Sequence, residues 1–163
     1  MIKKIFRLVA GSMAALLLLS ASVPSVSAQA RGAMTLGLLG GYATENNGGY
    51  TNLFFLYSFA PHVRISPELG CVFRNDGKSA FIMSADMHFP FSIARGVQVY
   101  PLAGLTFNNW SYSGGSSARL GGDVGAGFDI NMTQQIKLTV QGKYSLMKDY
   151  SGGFIGMGIG YNF

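Results

Sequence analysis

Residues 63–74 read VRISPELGCVFR. Val63, Ile65, Pro67, Leu69, Cys71 and Phe73 fall on one face of an extended chain. Arg64, Ser66, Glu68, Gly70, Val72 and Arg74 fall on the other. Successive side chains of a strand point to opposite sides, so this period of two predicts a strand with one apolar and one polar face.

The same alternation recurs on either side of this stretch. In 118–130, Leu120, Val124, Ala126, Phe128 and Ile130 oppose Arg119, Gly121, Asp123, Gly125, Gly127 and Asp129. In 136–147, Ile136, Leu138, Val140 and Tyr144 oppose Lys137, Thr139, Gln141 and Lys143. In 97–108, Val97, Val99, Pro101, Ala103, Leu105 and Phe107 oppose Gln98, Tyr100, Leu102, Gly104, Thr106 and Asn108. Eight such segments can be marked, near 32–43, 50–60, 63–74, 79–89, 97–108, 118–130, 136–147 and 153–163. The second departs from the pattern, because Phe54 and Leu56 make both of its faces apolar. Each segment is close to the ~9–11 residues that a tilted membrane strand needs. The alternation runs to the last residue, in GMGIGYNF (156–163), where chain ends are usually polar and frayed.

Composition points the same way. Charged residues make up 12% of the 163-residue chain and hydrophobic residues 48%, whereas soluble domains average about 25% charged. Residues 1–28 have the form of a cleaved secretory signal: Lys3, Lys4 and Arg7 precede an apolar run from Leu8 to Leu19. Cleavage is expected after Ala28, with Ala30 as the alternative. Removing Lys3, Lys4 and Arg7 from the twelve Lys/Arg leaves nine, against seven Asp/Glu. No basic run argues for nucleic acid. After residue 28 no uninterrupted apolar stretch reads as a membrane helix. A closed barrel is the other structure that satisfies its backbone in lipid.

These features predict one domain over 29–163, an all-β, eight-stranded antiparallel transmembrane barrel with short turns and a polar, side-chain-filled lumen. The alternative is a soluble barrel with its apolar face inside. The polar face, rich in Gly, Ser and Thr, makes a poor soluble surface, and eight strands leave little room inside for so many aromatic side chains. The apolar face is therefore expected to meet lipid. A charge at Leu138 is accordingly expected to impair insertion more than one at Thr139.

With an even strand number, both termini lie on one side, and turns are expected at 60–62, 92–96 and 131–135. Outer loops are expected at 44–49, 75–78, 108–117 and 148–152. The third is the longest, and its Trp110 and Tyr112 are candidates for surface contact or for an interfacial girdle. Pro67 and Pro101 lie inside strands, where each removes a ladder hydrogen bond, so bulges are expected there. Cys71 is the only cysteine, so an intrachain disulfide is impossible.

The inward face gathers charges of both signs: Arg64, Arg74, Arg119, Lys137 and Lys143 with Glu68, Asp86, Asp123 and Asp129, joined by His88 and Gln141. Such charges in a narrow barrel must pair. Their expected role is to fill the lumen and hold register, with exchange of partners to pass water or ions as the alternative. Ser84, Asp86 and His88 share one face, yet residues two apart on a strand stand roughly 6–7 Å apart, too far for a hydrogen-bonded relay. No CxxC, HExxH, acidic calcium loop or phosphate-binding glycine loop occurs. No catalysis, cofactor or metal is expected on these grounds.

The leader, the eight alternating segments, VYPLAG (99–104), GGDVGAGFDI (121–130) and the ending GIGYNF together resemble the small outer-membrane β-barrel family, the OmpA/OmpX-type and opacity-like "porin family" proteins. The resemblance implies the outer membrane of a Gram-negative bacterium, with surrounding lipid and lipopolysaccharide. It also implies that periplasmic chaperones and the barrel assembly machinery act on the chain, the latter reading Ile155, Met157, Ile159, Tyr161 and Phe163. A monomer with a structural, envelope-integrity role and no turnover is expected. The alternatives are a small passive pore and a surface-binding module acting through 108–117.

Overall fold

A computed structural model describes residues 31–148 and 151–163. The expected leader, 1–28, and part of the expected 148–152 loop lie outside the described residues. Among the described residues there are nine strand segments and no helix. They are β1 (Met34–Ala43), β2 (Gly48–Ala60), β3 (Val63–Asn75), β4 (Lys78–His88), β5 (Phe91–Ala94), β6 (Val97–Tyr112), β7 (Gly115–Asn131), β8 (Ile136–Leu146) and β9 (Gly152–Asn162). β4 and β5 both pair with β6 and form a single barrel position, interrupted at Phe89–Pro90. All neighbours run antiparallel, and β9 returns to pair with β1, so eight positions close into a barrel.

The alternation fixes which face points in. Leu38, Leu69, Leu105, Leu120, Ile155, Met157 and Ile159 are exposed on the outside, with Leu105 and Leu120 at 65% and 71%. Arg64, Asp86, Asp123, Asp129 and Lys137 are all 1% exposed or less, inside. Large apolar side chains outside and charged ones inside invert the pattern of a soluble barrel and match a lipid-facing band.

The chain end is tied down. β9 pairs with β1 from Ala43↔Phe154 to Thr35↔Asn162 and with β8 from Ser145↔Gly152 to Ile136↔Tyr161. The Phe163 amide donates to the Met34 carbonyl at 3.0 Å, and Thr35 Oγ1 donates to Asn162 Oδ1 at 2.7 Å.

Three expectations are corrected. Neither proline makes a bulge. Pro101 stays in register with Ala126 of β7, and its carbonyl accepts from the Phe89 amide at 3.1 Å. In an antiparallel ladder a residue's N–H and C=O point to the same neighbour. The donor that Pro101 lacks is therefore missing toward Phe89, where β4 and β5 are interrupted. At Pro67 the β2–β3 pairing steps from Phe54↔Glu68 to Tyr57↔Ile65 without changing register. The observed shifts lie at strand ends, at Ser58/Ala60, Val72/Asn75 and Ser92/Ala94.

The second correction concerns 108–117, which is strand rather than loop. β6 and β7 stay paired to Tyr112↔Gly115, and Ser113–Gly114 suffice to turn the chain, with Gly115 at φ +146°. Third, strand continues through 91–94, so the expected 92–96 turn narrows to Arg95–Gly96, with Gly96 at φ +77°.

Candidate functional site

The lumen divides along the barrel axis into two ionic clusters and an apolar layer. Near the end where β1 begins and β9 ends, Arg64 Nη2 lies 2.7 Å from Asp129 Oδ2. Lys137 Nζ lies 3.6 Å from the same oxygen. Thr139 Oγ1 donates to Asp129 Oδ1 at 2.8 Å, and Lys137 also donates to Thr35 Oγ1 at 3.4 Å. The Arg64 guanidinium sits 4.5 Å over the Tyr100 ring, which stacks on His88 with centroids 4.6 Å apart and planes 8° apart. Arg64 Nε donates to His88 Nδ1 at 3.4 Å.

The middle of the lumen is organised by Lys143. Its ammonium lies 2.9 Å from Glu68 Oε2, 3.0 Å from Asp86 Oδ2 and 3.3 Å from Asp123 Oδ2, and it donates to Ser84 Oγ at 3.0 Å. An ammonium has three hydrogens, so these four acceptors share them. Glu68 is held further by Asn52 Nδ2 at 3.0 Å and Gln141 Nε2 at 3.2 Å. Tyr100 donates to Gln141 Oε1 at 3.3 Å and so links the two ionic clusters.

These contacts run between strands that are far apart in the chain. Lys143 is on β8, Glu68 on β3, Asp86 on β4 and Asp123 on β7. They can meet because glycines on the neighbouring strands leave room beside them, Gly104 opposite Asp86 and Gly127 opposite Tyr100. A Cβ at Gly104 would strike the Asp86 carboxylate, and one at Gly127 would strike the Tyr100 hydroxyl and ring.

Toward the loop end the lumen becomes apolar. Leu39, Ala43, Tyr50, Val72, Ala80, Ile82, Trp110 and Phe154 form one buried cluster, which reaches down β2 through Phe54 and Leu56. The two-faced apolar character of the second segment is thus explained: its inward residues extend this layer. Tyr50 and Phe154 meet edge to face, 5.2 Å between centroids.

The sequence-predicted residues do not all come together. Arg64, Glu68, Asp86, His88, Asp123, Asp129, Lys137, Gln141 and Lys143 are buried in the two clusters. Arg74 and Arg119 are not among them, since both are exposed at the loop end. Each has inward parity but lies past the closed wall. The β3–β4 register shifts between Val72 and Asn75, around Arg74. Among the described residues β7 is paired with β8 only from Gly122↔Leu146 onward, and there Arg119 stands on a hairpin flanked by β6 and donates to the Ala118 carbonyl.

Trp110 is the converse case. Expected as a surface residue, it is 1% exposed, because β4 at Ala80 and β7 at Ser117 flank it and its parity points inward. Tyr112, two residues on, is exposed. Ile155, Met157, Ile159, Tyr161 and Phe163 all project from the outer face, and the Tyr161 and Phe163 rings meet edge to face at 5.4 Å.

Ser84, Asp86 and His88 form no relay. Ser84 and Asp86 are both engaged by Lys143, and His88 is engaged by Arg64 and Tyr100. What the sequence reading missed is the convergence of Glu68 from β3 with Asp86 and His88 from β4. Each of the three can present one ligand atom, and those atoms all lie within 4.8 Å of one another.

With this geometry in hand, the chain can be set beside solved structures. The N-terminal β-barrel domain of Pseudomonas aeruginosa OprF matches with a TM-score of 0.69 at 18% identity, over 83% of this chain and all of that one. The fold is that of the small outer-membrane barrels. Neisserial surface protein A matches at 0.65 and 15% identity, over 82% of this chain and 98% of its own. Ail, the attachment invasion locus protein of Yersinia pestis, matches at 0.58 and 21%, over 82% of this chain and all of its own. No protein-family model and no curated protein matches the sequence.

Proposed function

We propose that this chain is an exported, monomeric, integral outer-membrane protein whose barrel serves the integrity of the envelope without turnover and without an open channel. The observation that carries this reading is the filled lumen, with Trp110, Ile82, Tyr50 and Phe154 packed above a fully buried ion-pair network. An aqueous path needs a polar, hydrated bore, and this apolar layer offers none.

Membrane fractionation tests the location. The chain should appear in the outer-membrane fraction, with a gel mobility that shifts on heating. Planar-bilayer recording tests the closed lumen. Conductance above background would replace this reading with the passive pore, reached by rearrangement of the Lys143 and Arg64 ion pairs.

The lipid-facing band suits contact with lipid and lipopolysaccharide, and periplasmic chaperones and the barrel assembly machinery are the partners during biogenesis. The outward row ending at Phe163 is the segment that this machinery reads. Deleting Phe163 should lower the outer-membrane level of the protein while leaving the urea midpoint of barrels already folded little changed. Equal outer-membrane levels for the deletion and the native chain would refute the role.

A surface-binding role is the second reading. It rests on the β6–β7 hairpin, which projects past β8 and exposes Tyr112 and Arg119. Ail has been crystallised with the heparin analogue sucrose octasulfate. Loss of binding to lipopolysaccharide-containing vesicles on trimming this hairpin would favour the second reading.

A further inference from the structure

Buried ionic clusters normally balance their charge and satisfy their polar atoms. The middle cluster does neither. Among the described residues Lys143 is the one ammonium facing the three carboxylates of Glu68, Asp86 and Asp123. In it Asn52 Oδ1, Asp86 Oδ1 and Asp123 Oδ2 have no hydrogen-bond partner, nor has Nε2 of the adjoining His88; Asp86 and His88 are the pair that matters here. They are 0% and 1% exposed. Both residues belong to the group, completed by Glu68, whose ligand atoms lie within 4.8 Å of one another.

We propose that Glu68, Asp86 and His88 bind a divalent transition-metal ion inside the lumen. Two carboxylates and an imidazole form a donor set suited to zinc, manganese or cobalt rather than to the all-oxygen cages of calcium. The ion and Lys143 do not compete for the same atom of Asp86, since Oδ2 accepts from the ammonium and Oδ1 is open. Within the middle cluster two positive charges from the ion offset an excess of two carboxylates; over the whole lumen, where Arg64 and Lys137 outnumber Asp129, the net charge passes from minus one to plus one.

The surroundings hold the ligands in place as outer-shell groups do in metal sites. Asn52 and Gln141 orient the Glu68 carboxylate. Stacking on Tyr100 fixes the plane of the His88 ring. Binding has two costs: the ion shares the Glu68 and Asp86 carboxylates with the Lys143 ammonium, which repels it, and it disturbs the contact between His88 and Arg64. The hydrogen bond from Arg64 Nε places a lone pair on His88 Nδ1 and hence the hydrogen of the neutral ring on Nε2. Coordination through Nε2 moves that hydrogen to Nδ1 and breaks the Arg64 contact. At 3.4 Å the contact is long, and Arg64 keeps its 2.7 Å pair with Asp129 and its place over Tyr100.

The apolar layer closes the loop end, so the ion is best supplied during folding. The full chain is refolded from urea into detergent micelles with Co²⁺, desalted, and analysed for metal content and visible absorption. The folded, heat-modifiable barrel should retain a single Co²⁺ with the spectrum of an oxygen- and nitrogen-ligated ion, and Zn²⁺ should displace it. Asp86→Asn and His88→Gln should each weaken retention by about 10–100-fold or more. Absence of bound metal in the folded native chain overturns the proposal, whatever the variants do. So does retention by both variants equal to that of the native chain.

Discussion

β8 carries the two environments of this barrel side by side. Leu138, Val140 and Tyr144 face out, while Lys137, Thr139, Gln141 and Lys143 face in. The outer residues meet a surround that is the same in every direction, so one aliphatic side chain can replace another at small cost. Each inner residue meets specific partners on other strands, and removing one leaves the others buried without it. The outer face is specified by composition and the inner face by pairing.

Lys143→Met should break this contrast most sharply. It leaves Glu68, Asp86 and Asp123 with no ammonium among them, and loss of one partner of a buried pair costs about 3–5 kcal/mol. The urea midpoint, read by the fluorescence of Trp110, the chain's only tryptophan, checks this. A loss no greater than that of Leu138→Ala would remove the distinction between the faces.

Trp110 and Tyr112 pose the same contrast in the hairpin. Trp110→Ala empties a buried aromatic site and should cost about 3–5 kcal/mol. Tyr112→Ala alters an exposed residue and should stay within about 0.5 kcal/mol. Urea titration followed by gel mobility serves both, since one variant lacks the fluorophore. Equal effects would return Trp110 to the surface.

Leu138→Arg puts a charge in the lipid-facing band, at about 2–4 kcal/mol if it lies near mid-membrane, and should lower the yield of insertion into vesicles. The polar face suggests that Thr139→Arg would be milder. The structure argues otherwise. Thr139 bonds Asp129, which already takes Arg64 and Lys137, and the site is buried. A third cation there should be at least as damaging, whereas Leu138→Thr should insert nearly normally.

Thr139 marks the limit of what the sequence makes legible. Parity is local, so VRISPELGCVFR and its counterparts gave the strands and their facing. Height above the barrel wall is not local. Arg74, Arg119 and Trp110 all carry inward parity, yet of the three only Trp110 is enclosed, because among the described residues strand pairing on both sides extends past it and not past Arg119. Nor does parity say which inward residues meet. The approach of Lys143 to Glu68, Asp86 and Asp123 depends on closure of the barrel and on bare glycine positions. Ser113–Gly114 was hidden for another reason: a two-residue turn sits inside a longer run of turn-forming residues, so composition overstated the loop.

The same substitution made on both faces, Gly127→Ala and Gly142→Ala, separates pairing from composition at the smallest expected effect. Gly127 faces in, and an added methyl would meet the Tyr100 hydroxyl and ring and the Val140 carbonyl. Tyr100 cannot simply yield, since it is stacked on His88, lies under Arg64 and donates to Gln141. Overpacking of this kind costs about 1–3 kcal/mol. Gly142 lies on β8, and an added methyl there would meet nothing within 4 Å. Gly142→Ala should therefore be neutral, or stabilising by about 0.4–1 kcal/mol through the lower freedom of the unfolded chain. Urea midpoints of the two variants, measured in the same vesicles, give the comparison. If Gly127→Ala proves as mild as Gly142→Ala, the lumen is not packed around Tyr100, and its glycines are there for some reason other than making room.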